Sequence, residues 1–310
     1  MRTWTVLALA LVACGDGGGG DGVNNKTERF DELINVEVEA SADLTGFTPG
    51  DDVETTQWLT QTVDPALQGG EYDILGLVED FESGSGVDKA EVALWLANSF
   101  SPTADVTAES DSVGDVAVRG PSCEPVLYRV TTDPVLGETK TTFKPNQIYP
   151  HPGEAAAIDG AYFTSVSSIT YQLIPTILGV VIDPDLAIIA GTAFDITRDP
   201  SWPSDDPAGK IEGAQIIVYD ADGNIPDTLA VNYFVSDFPD RDQKYTSPDG
   251  LWVASNVPPG DLRVEMWGRV DGELKLLGAT ELFSETDSIN IANVYAGYRD
   301  GVKFPASCEQ

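Results

Sequence analysis

The stretch TSPDGLWVASNVPPGDLRVEMWG, residues 246–268, decides how this chain is read. Two turn signals punctuate it: Pro248-Asp249-Gly250 precedes an apolar run from Leu251 to Ala254, and Pro258-Pro259-Gly260 precedes a run in which apolar residues alternate with others. A side-chain period of two is that of a strand with a buried face. In DLRVEMW, Leu262, Val264 and Met266 are expected in a core, and Arg263 and Glu265 in water. Val270-Asp271-Gly272-Glu273 follows, and Asp-Gly tolerates the positive φ that a tight hairpin turn requires. The stretch is a folding signal before it is a working loop.

The same order of blocks occurs earlier in the chain. Ile74-Leu75-Gly76-Leu77-Val78-Glu79-Asp80 parallels Ile189-Ala190-Gly191-Thr192-Ala193-Phe194-Asp195. VDKAEVALW (87–95) parallels IEGAQIIVY (211–219), setting Ala90 against Ala214 and Trp95 against Tyr219. DSVGDVAV (111–118) then parallels SPDGLWVA (247–254). Spacing between blocks grows in the second half, as it does when loops lengthen and strands stay. In VALWL, Val92, Leu94 and Leu96 share one face of a strand, and Ala93 and Trp95 the other. Short strands at this spacing predict antiparallel sandwiches.

Gly191, GAQIIVYDADGN (213–224) and the opening stretch together resemble the carboxypeptidase regulatory-like module, a transthyretin-like (prealbumin-like) β-sandwich. Val257-Pro258-Pro259-Gly260 stands at the module's V-P-P-G corner, Trp252 at its aromatic position and Leu262 where Tyr is usual. The resemblance covers roughly residues 187–270 and implies that Trp252, Ala254, Leu262 and Val264 face the core. Residues 73–130 fit less well, because Pro121-Ser122-Cys123-Glu124-Pro125 replaces the Pro-Pro-Gly corner. The expected fold is all-β: two tandem transthyretin-like antiparallel β-sandwich domains joined by a short helical connector. The expected boundaries are residues 34–150 for the first sandwich, 151–182 for the connector and 183–310 for the second with its tail. INVEVEASADLTGF (34–47) is expected to add a strand to the first domain. VSSITYQLIPTILGV (166–180) has Ile169, Leu173, Ile174, Ile177 and Leu178 near helical spacing. It reads as a connecting helix packed between the domains, capped by Ser167 or Ser168 and interrupted by Pro175.

MRTWTVLALALVAC reads as an export signal, with Arg2 ahead of an apolar run from Trp4 to Ala13. Leu11-Val12-Ala13-Cys14 resembles the bacterial lipobox, which implies cleavage after residue 13 and acylation of Cys14. Residues 14–33 are glycine-rich and polar and behave as a flexible tether. The expected partner at this end is a membrane, reached through the lipid. Gly15 rather than Asp follows Cys14, which favours the outer membrane or cell surface.

The chain has 310 residues, 51 acidic against 17 basic, for a net charge of -34. A surface this negative repels phosphate backbones, so nucleic acid is not an expected partner. A single histidine, His151, excludes the metal set of a zinc carboxypeptidase and the two-histidine iron site of intradiol dioxygenases. His151 lies in Tyr-Pro-His-Pro-Gly and reads as a solvated loop residue rather than a general base. No phosphate loop is present, since GDGGGGDG (15–22) lacks Lys-Ser/Thr.

No catalytic residue and no cofactor are expected. Asp183-Pro-Asp185, Asp205-Asp206 and Asp220-Ala-Asp222-Gly223-Asn224 could offer calcium hard oxygen ligands; Asp220, Asp222 and Asn224 are the candidate set, and a plain Asp-Gly-Asn turn is the alternative. Cys123 and Cys308 are the candidate disulfide pair of an exported chain once Cys14 is committed to lipid. Trp58, Trp95, Trp252 and Trp267 stand mostly at strand positions, whereas Trp202 in DPSWPSDDP is the candidate exposed ligand anchor. The function expected is non-enzymatic: a lipid-anchored envelope or cell-surface protein with a structural, adhesive or binding role and an unknown protein or glycan partner. A carbohydrate- or small-ligand-binding lipoprotein is the alternative, and a carboxylate-based hydrolase the third reading.

Overall fold

The computed structural model describes residues 36–41, 43–44, 63–133, 139–198, 209–297 and 303–309. Cys14, the tether, Trp58, Trp202 and Asp205-Asp206 lie outside the described residues. The fold is all-β, with one short α-helix among the described residues.

The first half contains β1 (Glu71–Asp80), β2 (Glu91–Trp95), β3 (Val106–Glu109), β4 (Asp115–Pro121), β5 (Pro125–Thr131), β6 (Thr139–Ile148) and β7 (Ala157–Ser167). One sheet has the order β4-β1-β7, with β7 parallel to β1. The facing sheet has the order β3-β2-β5-β6 and is antiparallel throughout. Ile74, Val92, Leu94, Val118, Val130 and Phe163 from both sheets fill the core between them. The other face of β2 is also buried: Ala93 and Trp95 pack with Leu127 and Phe143.

The helix α1 (Ser168–Leu178) follows β7 directly. The second half contains β8 (Ala187–Phe194), β9 (Gln215–Asp220), β10 (Ala230–Val235), β11 (Phe238–Asp240), β12 (Leu251–Val257), β13 (Gly260–Val270), β14 (Glu273–Ser284), β15 (Ser288–Ile291) and β16 (Val294–Tyr295). Strands β9, β13 and β14 form a three-stranded sheet that faces β8, β12 and β10. Trp252, Ala254, Leu262, Val264 and Met266 all lie in the core between them. The β13–β14 hairpin turns at Asp271 and Gly272, whose φ angles of 53° and 76° are the positive values expected of that turn.

The two halves repeat one another bond for bond at several places. β1 pairs with β4 as β8 pairs with β12, and β5 stands between β2 and β6 as β13 stands between β9 and β14. The buried hydroxyl of Ser110 accepts from Ala90 N at 2.9 Å, and that of Thr246 accepts from Ala214 N at 2.9 Å. Gly76 and Gly191 occupy matching positions. A Cβ on Gly76 would meet the Ala161 carbonyl oxygen at 2.5 Å, and one on Gly191 would meet that of Ala292 at 1.8 Å. In the first half glycine lets the parallel neighbour β7 itself lie close against the first strand, and in the second half it lets in the chain just after the parallel neighbour β15.

The halves are nonetheless woven together. Strand β15 lies between β8 and β6, parallel to both, so one path β11-β10-β12-β8-β15-β6-β5-β2-β3 crosses the molecule. The chain ends also cross over. Residues 36–40 were expected in the first half; instead Glu37 bridges to Arg269 and Glu39 to Glu212, and Val38, Ala40 and Leu44 join the second core. The second half provides the slot through glycines, since a Cβ on Gly268 would meet Val38 Cγ1 at 2.3 Å and one on Gly213 the Glu37 carbonyl oxygen at 2.8 Å. The C-terminal segment runs the other way: Cys308, in a 3-10 turn over Ala306–Cys308, is disulfide-bonded to Cys123, with Cα atoms 5.5 Å apart. Val63, Leu67, Ile148 and Phe304 pack around that bridge.

Candidate interaction surface

Helix α1 starts at Ser167, whose hydroxyl accepts from Thr170 N at 3.1 Å, and ends at Gly179 with φ 71°. Pro175 sits inside the helix without ending it. No basic residue of the last turn meets the helix's negative end. Arg241 does so from outside, donating from Nε to Ile177 O at 2.6 Å and from Nη2 to Thr176 O at 3.4 Å. At the other end, Thr170 Oγ1 donates to Glu82 Oε2 on the loop after β1.

The helix buries only part of the face expected of it: Leu178 and Ile174 pack at the junction, and Ile169, Leu173 and Ile177 do not. Tyr171, Pro175 and Leu178 face the junction, where Tyr171 and Leu178 pack with Val166, Ile188, Phe234, Val253 and Ile289. Lys140 lies over the Tyr171 ring, 4.8 Å from its centre. Ile169, Leu173 and Ile177, spaced i, i+4, i+8, point outward and are 75%, 46% and 38% exposed. The physical reason is that the helix is apolar on two faces, and sequence spacing cannot say which one meets a sheet. Val181, just past Gly179, is 87% exposed, and Phe238 on the neighbouring edge strand β11 is 63% exposed. Exposed carboxylates surround this apolar strip: Glu82 at the start of the helix, Asp183 and Asp185 beyond Val181, Asp237 beside Phe238, and Asp242 beside Arg241.

The other residues singled out in the sequence have structural occupations. His151 Nε2 is 3.0 Å from Tyr72 Oη, and its Nδ1 accepts from Gly153 N at 3.0 Å, so the ring is half-buried and held rather than freely solvated. Trp95 Nε1 donates to Ser101 O at 2.8 Å, and both Trp95 and Trp252 are buried. Glu265, expected in water, is buried: it accepts from Arg263 Nε at 2.9 Å and from Trp267 Nε1 at 2.9 Å. A carboxylate is tolerated there because these donors replace the lost water. Asp220 Oδ1 accepts from Asp222 N at 3.0 Å and Asn224 N at 2.8 Å, closing the turn of the candidate calcium set by itself. Among the described residues no group of three His, Cys, Asp or Glu side chains is placed to hold a metal.

Burial shifts several ionisations away from normal. Burial pushes the Lys144 ammonium on β6 down to about 8, partly opposed by Glu79 on β1. Burial also raises Glu79, against the pull of Lys144. Tyr128 is pushed up to about 12 by burial, although its hydroxyl accepts from Thr164 N at 2.9 Å. Tyr219 is also pushed up to about 12, by burial and then by the adjacent Glu265. Sequence inspection had no signal for these groups, because their desolvation comes from elements distant in the chain.

No family model matches the chain, and no curated protein does. Among solved structures it is similar to the Bacillus anthracis TIE protein at 12% identity, covering 73% of this chain and 34% of that one, with a TM-score of 0.23. The shaft pilin spaA from Lactobacillus rhamnosus GG matches at 8% identity, over 76% of this chain and 100% of that one, with a TM-score of 0.23. The 3-chlorocatechol 1,2-dioxygenase from Rhodococcus opacus 1CP matches at 13% identity over 46% and 78%, with a TM-score of 0.22. At these TM-scores the superpositions define no common fold.

Proposed function

We propose that the chain is a non-enzymatic, lipid-anchored protein of the cell envelope or surface, built of two tandem sandwich units and serving a structural, adhesive or binding role. The observation that carries this reading is the clasp. The Cys123–Cys308 disulfide, the shared strand β15 and the crossed chain ends make one body of two repeats. A disulfide of this kind belongs to an oxidising compartment, which agrees with the export signal and with acylation of Cys14. In this reading the tether after Cys14 carries the body away from the bilayer, and the outward face of α1 serves binding.

Fractionation of a bacterial host tests the anchor. The intact chain is expected in the membrane fraction, labelled by a fatty acid and open to protease on whole cells. The Cys14→Ser variant is expected to lose the label and the cleaved form. An intact chain recovered unlabelled from the soluble fraction would sink the reading.

A further inference from the structure

The strip formed by Ile169, Leu173, Ile177, Val181 and Phe238 has no cover among the described residues, and exposed apolar strips of this kind mark contact surfaces. We infer that it docks a protein partner presenting apolar side chains flanked by lysine or arginine, in the manner of a basic amphipathic helix. The inference rests on the binding role proposed above and names the chemistry of the partner. Charge selects it. Glu82, Asp183, Asp185, Asp237 and Asp242 border the strip at both ends, and two cations at the helix are already engaged, Arg241 on the helix carbonyls and Lys140 on Asp287 and the Tyr171 ring. A second copy laid on the strip would set carboxylates against carboxylates, in a chain of net charge -34. An anionic bilayer is repelled for the same reason. A partner with an apolar centre and a basic rim satisfies both parts: the apolar residues supply the contact, and the charges supply steering and register.

The test uses the full chain held in phosphatidylcholine nanodiscs, with empty discs as the blank, and three fluorescent helical peptides of one pattern: Leu/Lys, Leu/Glu and Ser/Lys. The Leu/Lys peptide is expected to bind at least tenfold more tightly than either of the others, with affinity falling as salt rises. Ile169→Ser combined with Val181→Ser changes only the most exposed positions, so folding is preserved, and is expected to weaken Leu/Lys binding severalfold. Asp185→Asn combined with Asp242→Asn is expected to weaken it and to flatten its salt dependence. Equal binding of the Ser/Lys peptide, or no response to the apolar variant, would overturn the proposal, because general acidity would then explain everything. Self-association of the intact chain that the apolar variant abolishes would overturn it in favour of a second copy. Low carbene labelling of Ile169 and Val181 in the free chain would overturn it in favour of a segment of the chain itself. Membrane fractionation is read separately, so failure here leaves the anchored reading standing.

Discussion

The third strand of each half goes to a different sheet. In the first half β3 hydrogen-bonds to β2 and extends the sheet built on β2 and β5. In the second half β10 hydrogen-bonds to β12 and so joins the opposite layer, and β11 extends that layer further. The corners differ as well. The β12–β13 corner carries Pro258-Pro259, followed by Gly260 at φ 118°, whereas the β4–β5 corner carries Cys123 at φ 52°, tied to the far end of the chain. The comparison shows which parts of the repeat are structural necessities. The hydroxyl clips at Ser110 and Thr246 and the close approaches at Gly76 and Gly191 occur in both halves, while edge strand and corner vary. Proline stiffens the second corner locally, and Gly260 supplies the positive φ that the turn into β13 requires. A cross-link holds the first, by narrowing the unfolded ensemble.

The contrast between the corners can be broken most strongly at the cross-link. Cys308→Ser releases a closure of 185 residues and is expected to cost about 2–5 kcal/mol in urea unfolding. Early proteolysis should then fall in the first half, and an unchanged midpoint would show that the corner holds itself. Next comes the shared glycine. Gly191→Ala and Gly76→Ala should each destabilise by about 1–3 kcal/mol or more, since backbone carbonyls cannot move aside as flexible side chains can. Gly191→Ala should be the worse, with its contact of 1.8 Å against 2.5 Å. Thermal melting of the two variants ranks them.

The hydroxyl clips test whether the halves remain equivalent in energy. Ser110→Ala and Thr246→Val each strand a buried amide and are expected to cost about 1–3 kcal/mol, by similar amounts. A cost confined to one half would mean that only one clip survives as a stabilising contact. The last test is in alkali. Lys144 at about 8 loses its proton in the folded chain before the unfolded one, whose lysine titrates near 10.5, so stability rises with pH between those values. Tyr128 and Tyr219, held near 12 against an ordinary 10.0, reverse the sign: the unfolded chain deprotonates first, and stability falls from pH 10 to 12. Denaturation in high salt, which screens the general surface charge, should therefore show an alkaline maximum. Lys144→Met should remove the rise and keep the fall.

Much of this was legible in local sequence. The Asp271-Gly272 hairpin, the β12–β13 corner, the alternation of faces along β2 and the capped helix at Ser167 each depend on neighbours within a few residues. The surface of α1 was not legible, because Ile169-Leu173-Ile177 and Tyr171-Ile174-Leu178 are both apolar stripes, and only the sheet beneath chooses between them. Glu265 was misplaced because alternation predicts which way a side chain points but not what covers it; Arg263, Trp267 and Tyr219 cover it.

The sequence by itself determined the class of fold, the repeated blocks and their turns, since period-two patterning and turn chemistry are short-range properties. Tertiary structure alone decided that residues 36–40 belong with the second half, that β15 joins the two halves through one sheet, and that the apolar stripe of α1 faces outward. Those outcomes are set by steric slots such as Gly268 and by the competition of surfaces for burial, and both exist only once distant segments have met.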